Sequence, residues 1–469
     1  MRPRATFGIV STALFMVVLD NLVVTTALPS IRADLGASIE NLQWTVNAYT
    51  LSFAVLLLTG AALGDRFGRK RMFTLGLTAF TIASAAAALA PTTGALIAAR
   101  AIQGAAAASV LPLTLTLLSE AFPAGRRGLV LGLWSGISGL AVAIGPLVGG
   151  AVVDGISWHW IFWINVPIGI ALVPLAARFL TESRGPARHL DLPGLALGGF
   201  GLLGIVFGIV RGNELGWTST EILASLGVGA ALVAAFIAWE LRAPHPMLPM
   251  RFFRSRAFAT ANGVGFFMSF GVFGSIFLLA PFLQVTQGLS PLEAGIRTLP
   301  WTAMPMLVAP IAGILSDRVG SRPLMALGLT LQGGALAWLA AVSTPTVPYS
   351  ELVLPFIMAG TGMALVFAPS ANAVLGSVRQ QETGQASGAT NAIRELGGVM
   401  GVAVLASVFT SHGSYASPQA YTDGMVSAVW VGAAVLAVGA LVALLIPRRA
   451  GRATVATPTI EVAPEPVAA

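Results

Sequence analysis

The chain has 469 residues, of which 56% are apolar and only 10% are charged, less than half the charged share of about 25% that a water-facing domain carries. The apolar residues suffice for roughly thirteen membrane helices of about 20 residues each, which excludes a soluble enzyme, a disordered protein and a single-anchor receptor. Cysteine is absent and the four histidines, His159, His189, His245 and His412, are scattered, so no thiolate chemistry and no histidine cluster for a catalytic metal is available.

In chain order, apolar windows bounded by charges or turn residues predict fourteen spans: 7–29, 43–64, 72–90, 94–119, 128–152, 157–180, 192–211, 220–241, 257–284, 292–316, 323–343, 351–377, 386–411 and 423–447. Helix is the assignment, because open backbone in lipid leaves N–H and C=O groups unpaired at several kcal/mol each. The first window follows Arg2 and Arg4 like a signal peptide, but Asp20 and Asn21 interrupt it and thirteen spans follow. With the N-terminus placed in the cytoplasm, 21 of the 26 Lys and Arg fall in cytoplasmic segments, and Arg32, Arg211 and Arg297 in external loops. This asymmetry is the positive-inside signal of a plasma-membrane protein with both termini cytoplasmic. It accounts for the net charge of +7 as topology, with no nucleic acid implied. Trp44, Trp158, Trp160, Trp163 and Trp217 fall at predicted external boundaries, where interface anchors belong. The Pro/Ala/Thr-rich tail 448–469 is read as disordered.

The loop after span 2 reads Gly64-Asp65-Arg66-Phe67-Gly68-Arg69-Lys70-Arg71, and the loop after span 10 reads Ser316-Asp317-Arg318-Val319-Gly320-Ser321-Arg322. As isolated turns such stretches are unremarkable, since glycine supplies positive φ. Two copies at equivalent cytoplasmic places, 252 residues apart, instead mark an internal duplication, the architecture of rocking transporters. That separation is about eight spans, so two extra helices lie between two six-helix halves. The predicted organisation is a half at 1–180, a two-helix insert with linkers at 181–256, a second half at 257–447 and the tail.

These residues, with others along nearly the whole chain, resemble the fourteen-helix drug:proton antiporter family of the major facilitator superfamily. Span 1 carries Leu19-Asp20-Asn21-Leu22-Val23-Val24 and Ala27-Leu28-Pro29, span 4 Arg100-Ala101-Ile102-Gln103-Gly104, and span 5 Gly145-Pro146-Leu147-Val148-Gly149-Gly150. Trp158 to Pro167, Ser290-Pro291 with Ala294-Gly295, and Glu382 to Gly388 are similar to stretches of the same branch. Ala61 stands where glycine is usual, His159 where arginine is, and Glu395 where an amide is. The resemblance implies an all-α fold, efflux of a drug-like or antibiotic compound, coupling through Asp20 and Arg100, gating by Asp65, Arg66, Gly68, Arg69, Asp317, Arg318 and Gly320, and an antiporter role for Gly145, Pro146, Gly149 and Gly150.

The residues themselves carry a parallel reading. A mid-bilayer carboxylate costs a few kcal/mol and marks function by default. Asp20 lies about 20 Å from the cytoplasmic face and Arg100 about 9 Å below the external one, at 1.5 Å per residue, so they share a depth. One reading is a static ion pair; the other is a proton switch, because burial raises an aspartate's pKa and a nearby guanidinium lowers it. Glu395, beside Arg394, is a second candidate for proton coupling, or else lines a cytoplasmic vestibule; neighbours at i and i+1 do not face each other. Pro146 kinks span 5 and its glycines permit close packing, either as a seal against proton leak or as ordinary helix packing. Asn47, Gln103, Asn262, Asn391, Phe266 and Phe267 are the expected lining of a cavity for a small hydrophobic or amphipathic substrate, with packing against helices or lipid as the alternative. One proton entering across ~100 mV releases ~2.3 kcal/mol, and no phosphate-binding Gly-x-x-x-x-Gly-Lys-[Ser/Thr] stretch is present. The expectation is therefore a monomer with no cofactor, driven by the proton gradient. An uptake symporter or metabolite exporter on the same fold is the alternative; a membrane enzyme would need clustered His, Asp or Glu, and a channel would not need the repeated loops.

Overall fold

A chain in lipid satisfies its backbone internally, and the fourteen windows do so as helices in the computed structural model, which describes residues 3–184, 190–378 and 382–447. Among the described residues no strand occurs. The tail 448–469, Arg2, Arg188, His189 and Arg379 lie outside the described residues, as do the side chains of Asp317, Arg126 and Arg127. The first half comprises α1 (Pro3–Leu35), α2 (Ile39–Phe67), α3 (Arg69–Ala88), α4 (Thr93–Ala121), α5 (Ala124–Gly155), α6 (Trp160–Trp163) and α7 (Asn165–Phe179). The insert is α8 (Leu192–Leu215) and α9 (Thr220–Glu240). The second half comprises α10 (Arg256–Pro281), α11 (Pro291–Thr302), α12 (Met304–Val319), α13 (Ser321–Val342), α14 (Tyr349–Leu375), α15 (Thr383–His412) and α16 (Pro418–Ala443).

Helix starts follow local chemistry. Ser38 and Thr92 accept the N–H groups of Asn41 and Ala95, and Ser290 with Glu293 forms a reciprocal capping box for α11. Two predicted spans are broken. The sixth divides at Ile164 into α6 and α7, and the tenth divides at Ala303 into α11 and α12, where Pro305 has no N–H to continue the ladder. The duplicated loops turn through Gly68 at φ +111° and Gly320 at φ +85°. Both values favour glycine, which has no Cβ to clash.

The insert packs as a hairpin, with Val206 and Val210 of α8 clustered against Leu51, Val399 and Ala403. Asn213 Nδ2 fastens it to α15 by donating to the Ser407 carbonyl and to Thr410 Oγ1 at 2.5 and 2.6 Å. Of the predicted interface tryptophans, Trp160 and Trp217 are exposed on the surface. Trp158 is instead buried, its Nε1 donating to Asp34 Oδ2 at 2.9 Å; the indole N–H finds a carboxylate, so this residue is a plug rather than an anchor.

The halves meet tightly at the end that holds the α1–α2 connection. A Cβ on Gly150 would overlap the Pro291 carbonyl, and one on Gly295 would overlap that of Pro146, so α5 and α11 approach backbone to backbone. Gln284 Nε2 donates to the Thr26 carbonyl at 2.8 Å, within a turn of Pro29 inside α1, and Thr302 Oγ1 donates to the Ala143 carbonyl at 3.0 Å. The Arg32 guanidinium lies 4.2 Å above the Tyr415 ring across the same seam. Because the chain has no cysteine, a single introduced thiol reports this closure. Thr298→Cys should be protected from maleimide in an otherwise wild-type chain and label severalfold faster when Gly150→Val holds α5 and α11 apart; equal rates would refute the seal.

Candidate functional site

Asp20 lies in the middle of α1 and is 1% exposed, and Arg100, on α4, is fully buried. Nη1 of Arg100 donates to Asp20 Oδ2 at 2.6 Å and to Gln103 Oε1 at 3.0 Å, and its Nε donates to the Thr45 carbonyl at 3.3 Å. The other carboxylate oxygen, Oδ1, accepts from Asn165 Nδ2 at 2.7 Å and from Gln103 Nε2 at 3.2 Å. Gln103 Nε2 also reaches Ser84 Oγ at 2.7 Å. The guanidinium sits 4.2 Å from the Tyr49 ring and 5.7 Å from that of Phe162. Residues of α1, α3, α4 and α7 thus enclose the pair completely, with α2 and α6 supplying the aromatic faces.

This arrangement has two chemical consequences. Arg100 keeps acceptors and aromatic faces if the carboxylate is neutralised, so its charge is never left bare. Asp20 has fixed amide donors on Oδ1, while Oδ2 is bonded only to Arg100 among the described contacts. Beside the carboxylate, a small cavity between α1, α5 and α7 is lined by Asp20, Asn165, Gly149 and apolar side chains. Gly145 and Gly149 sit against Leu22 and Thr26 of α1, where a Cβ would clash. The span 5 motif therefore sets the spacing between α5 and the helix bearing Asp20.

Other predicted residues fall elsewhere. Asp65 Oδ1 accepts from Arg69 Nη2 at 2.7 Å, and Arg69 also pairs with Glu120, so the first loop motif ties α2, α3 and α4 together. Arg66 is exposed over Phe67. Glu182 accepts the N–H groups of Lys70 and Arg71 at the start of α3. In the second copy, Arg318 is exposed, and Asn372 Nδ2 ties α14 to Ser316 Oγ at 2.6 Å. Glu395 shares no hydrogen bond with the Asp20 network among the described residues, although its charge acts on Tyr49 as those of Asp20 and Arg100 do; its Oε2 is buried without a hydrogen-bond partner, and the adjacent Arg394 turns to the Phe367 ring and to Asn391 Oδ1.

The expected lining set is corrected in part. Gln103 belongs to the ion-pair network, Phe267 packs against Gly439 of α16, and Asn262 donates to the Phe258 carbonyl of its own helix. Asn47 is fully buried with both amide atoms unpartnered, Asn391 is half-buried under Arg394, and Phe266 is half-buried against Gly397 of α15. Sequence reasoning missed Ser84, Asn165, Tyr49, Thr45 and Phe162. Gln103 could have been assigned correctly, since i and i+3 share a helix face.

If the pair is one unit, its members are not equivalent when deleted. Arg100→Met leaves a buried unpaired carboxylate and should cost about 3–5 kcal/mol. Adding Asp20→Asn to Arg100→Met should recover most of that loss. Thermal unfolding of the purified variants reads both, and additive losses would contradict the coupling.

The Major Facilitator Superfamily family model matches residues 10–402, with an overlapping match over 263–468. A cephamycin export protein of Amycolatopsis lactamdurans is 38% identical over 417 residues, covering 87% of this chain and 85% of that protein. A puromycin resistance protein of Streptomyces alboniger is 34% identical, covering 94% and 90%. A tetracenomycin C resistance and export protein of Streptomyces glaucescens is 31% identical, covering 90% and 79%. Among solved structures, a POT-family peptide transporter crystallised with sulfate shares the fold at a TM-score of 0.71 and 16% identity, over 96% of this chain and 95% of that one. The chain belongs to the Major Facilitator Superfamily, as a multi-pass membrane transporter that groups with that superfamily's drug-efflux members.

Proposed function

We propose that the protein is a proton-coupled antiporter of the plasma membrane that exports a drug-like or antibiotic small molecule by alternating access, with both termini cytoplasmic. The observation that carries this reading is the fully enclosed Asp20–Arg100 pair, with Gln103 and Asn165 on the second carboxylate oxygen. A proton delivered to Asp20 removes one charge of the pair while Arg100 retains Gln103, Thr45 and two ring faces. The neutral acid then presses less strongly on α4, and α1 is free to shift against α5 across the glycine-lined contact at Gly145 and Gly149. In this account the α5–α11 seam closes the external end, and the loops at Asp65 and Asp317 belong to the cytoplasmic gate.

The substrate class is supported by the relatives, whose names describe antibiotic resistance and export. The span 5 motif, seated between α1 and α11, favours antiport over uptake because it ties proton site and seal to one helix. The proton gradient is the sole energy source in this scheme, the protein acts as a monomer, and its partners are a small hydrophobic or amphipathic compound and the surrounding lipid. One inward proton across ~100 mV with one pH unit supplies ~3.7 kcal/mol, enough for a gradient of a few hundredfold in a neutral substrate.

Vesicles containing the full chain, given an imposed pH gradient and a structurally varied panel of antibiotics and dyes, test the reading. At least one compound should accumulate against its own concentration gradient only when the pH gradient is present. Asp20→Asn should abolish that movement while leaving the protein folded in the membrane; wild-type transport by this variant would remove the assignment of Asp20.

A further inference from the structure

At the loop-facing end of the insert, a second pair of acids meets with no ion pair to either among the described residues. Asp191 caps α8, its Oδ1 accepting the Gly194 N–H at 2.8 Å and the Trp239 Nε1–H at 2.7 Å, while its Oδ2 accepts the Met247 N–H at 3.4 Å. Glu240, the last residue of α9, is 3% exposed, and its Oε2 accepts the Leu248 N–H at 2.9 Å. Its Oε1 is buried and has no hydrogen-bond partner. A Cβ on Gly194 would stand 2.5 Å from Asp191 Oδ2 and 2.7 Å from Glu240 Oε1, so these two oxygens flank one point.

We propose that Asp191 and Glu240 are a proton-binding site separate from Asp20, holding one proton between Glu240 Oε1 and Asp191 Oδ2 and thereby fastening the start of α8 to the end of α9. A buried carboxylate beside a second, half-buried one cannot ionise cheaply, and a carboxyl O–H on Glu240 donating to Asp191 supplies the one hydrogen bond that is missing. Among the described residues the charged groups of the adjoining segments are few. Arg242 and His245 of the connector are solvent-exposed, the first turn of α8 is Leu192-Pro193-Gly194-Leu195, and α2 approaches with Val55 and Thr59. A divalent cation would need six or more oxygens, and the two carboxyl groups bring one oxygen each to this point.

The location gives the proton a mechanical role. The connector rests on α2 through Met247, whose sulfur lies 3.8 Å from Thr59 Oγ1. It then leads through the 3-10 turn Met250–Arg254 to α10, and Arg251 of that turn pairs with Glu382 at 2.7 Å. Release of the proton to solvent leaves two carboxylates side by side and drives the start of α8 away from the end of α9, where the connector begins.

The test uses the purified full chain. Infrared titration should show a protonated-carboxyl C=O band in the wild type that disappears on raising the pH and is missing in Glu240→Gln. A proton held when folded but not when unfolded makes stability fall as pH rises. The wild-type melting temperature should therefore drop by a few degrees more between about pH 6 and pH 9 than those of Glu240→Gln and Asp191→Asn. The Asn variant keeps an acceptor for Gly194 and Trp239 and guards against a folding failure at Glu240. No band difference, or one common pH slope in all three proteins, would overturn the proposal. Asp20 is untouched in every arm, so the outcome is independent of the transport reading.

Discussion

A carboxylate and a guanidinium removed from water are tolerable only when each satisfies the other and every remaining polar atom nearby finds a partner. Asp20 and Arg100 satisfy each other with side chains drawn from four helices, leaving Nη2 of the guanidinium as the one atom of the pair without a hydrogen bond among the described residues, and the shape of the first half follows from it. Gln103 must face α1, Asn165 must open α7 toward α1, and Ser84 must bring α3 alongside both. The break at Ile164 places Asn165 at the start of α7, at the depth of Asp20. A network so closed cannot alter one contact without moving a helix, which is what a coupling device requires.

The glycines extend this constraint to the second half. Gly145 and Gly149 bring α5 against α1, and on the same helix Gly150 meets Pro291 of α11 while Gly295 of α11 meets the Pro146 carbonyl. One helix thus touches the site of the buried acid on one side and the seam between halves on the other. The insert lies outside this chain of contacts: α8 rests on α2 and α15, and α9 packs on α8 with most of its surface turned outward. Its own pair of acids, half-buried Asp191 and buried Glu240, therefore belongs to a separate device at the start of the connector.

Much of the fold was legible because the bilayer punishes error. The spans are marked by apolar length, the sides by arginine and lysine, and Asp20 and Arg100 by the cost of being where they are. The duplicated loops were legible through Gly68 and Gly320, whose backbone angles demand glycine. Ser84, Asn165 and Tyr49 were not, since their residue types are ordinary in membrane helices and their roles depend on how α3, α7 and α2 rotate about their axes. The same rotation misled the reading of Phe267, which faces α16, and of Gln103, taken for a cavity residue although its spacing from Arg100 pointed elsewhere. The burial of Trp158 depended on Asp34, 124 residues away. Long-range pairing of that kind leaves no local pattern.

The central claim is that Asp20 exchanges its proton as substrate passes. Proton movement can be counted directly in vesicles carrying an internal pH indicator, preloaded with whichever panel compound moves fastest and diluted into compound-free buffer at equal pH on both sides. The account predicts that outward substrate flow acidifies the lumen in the wild type and leaves it unchanged when Asp20 is replaced by Asn. Substrate efflux from wild-type vesicles with no accompanying pH change would contradict it.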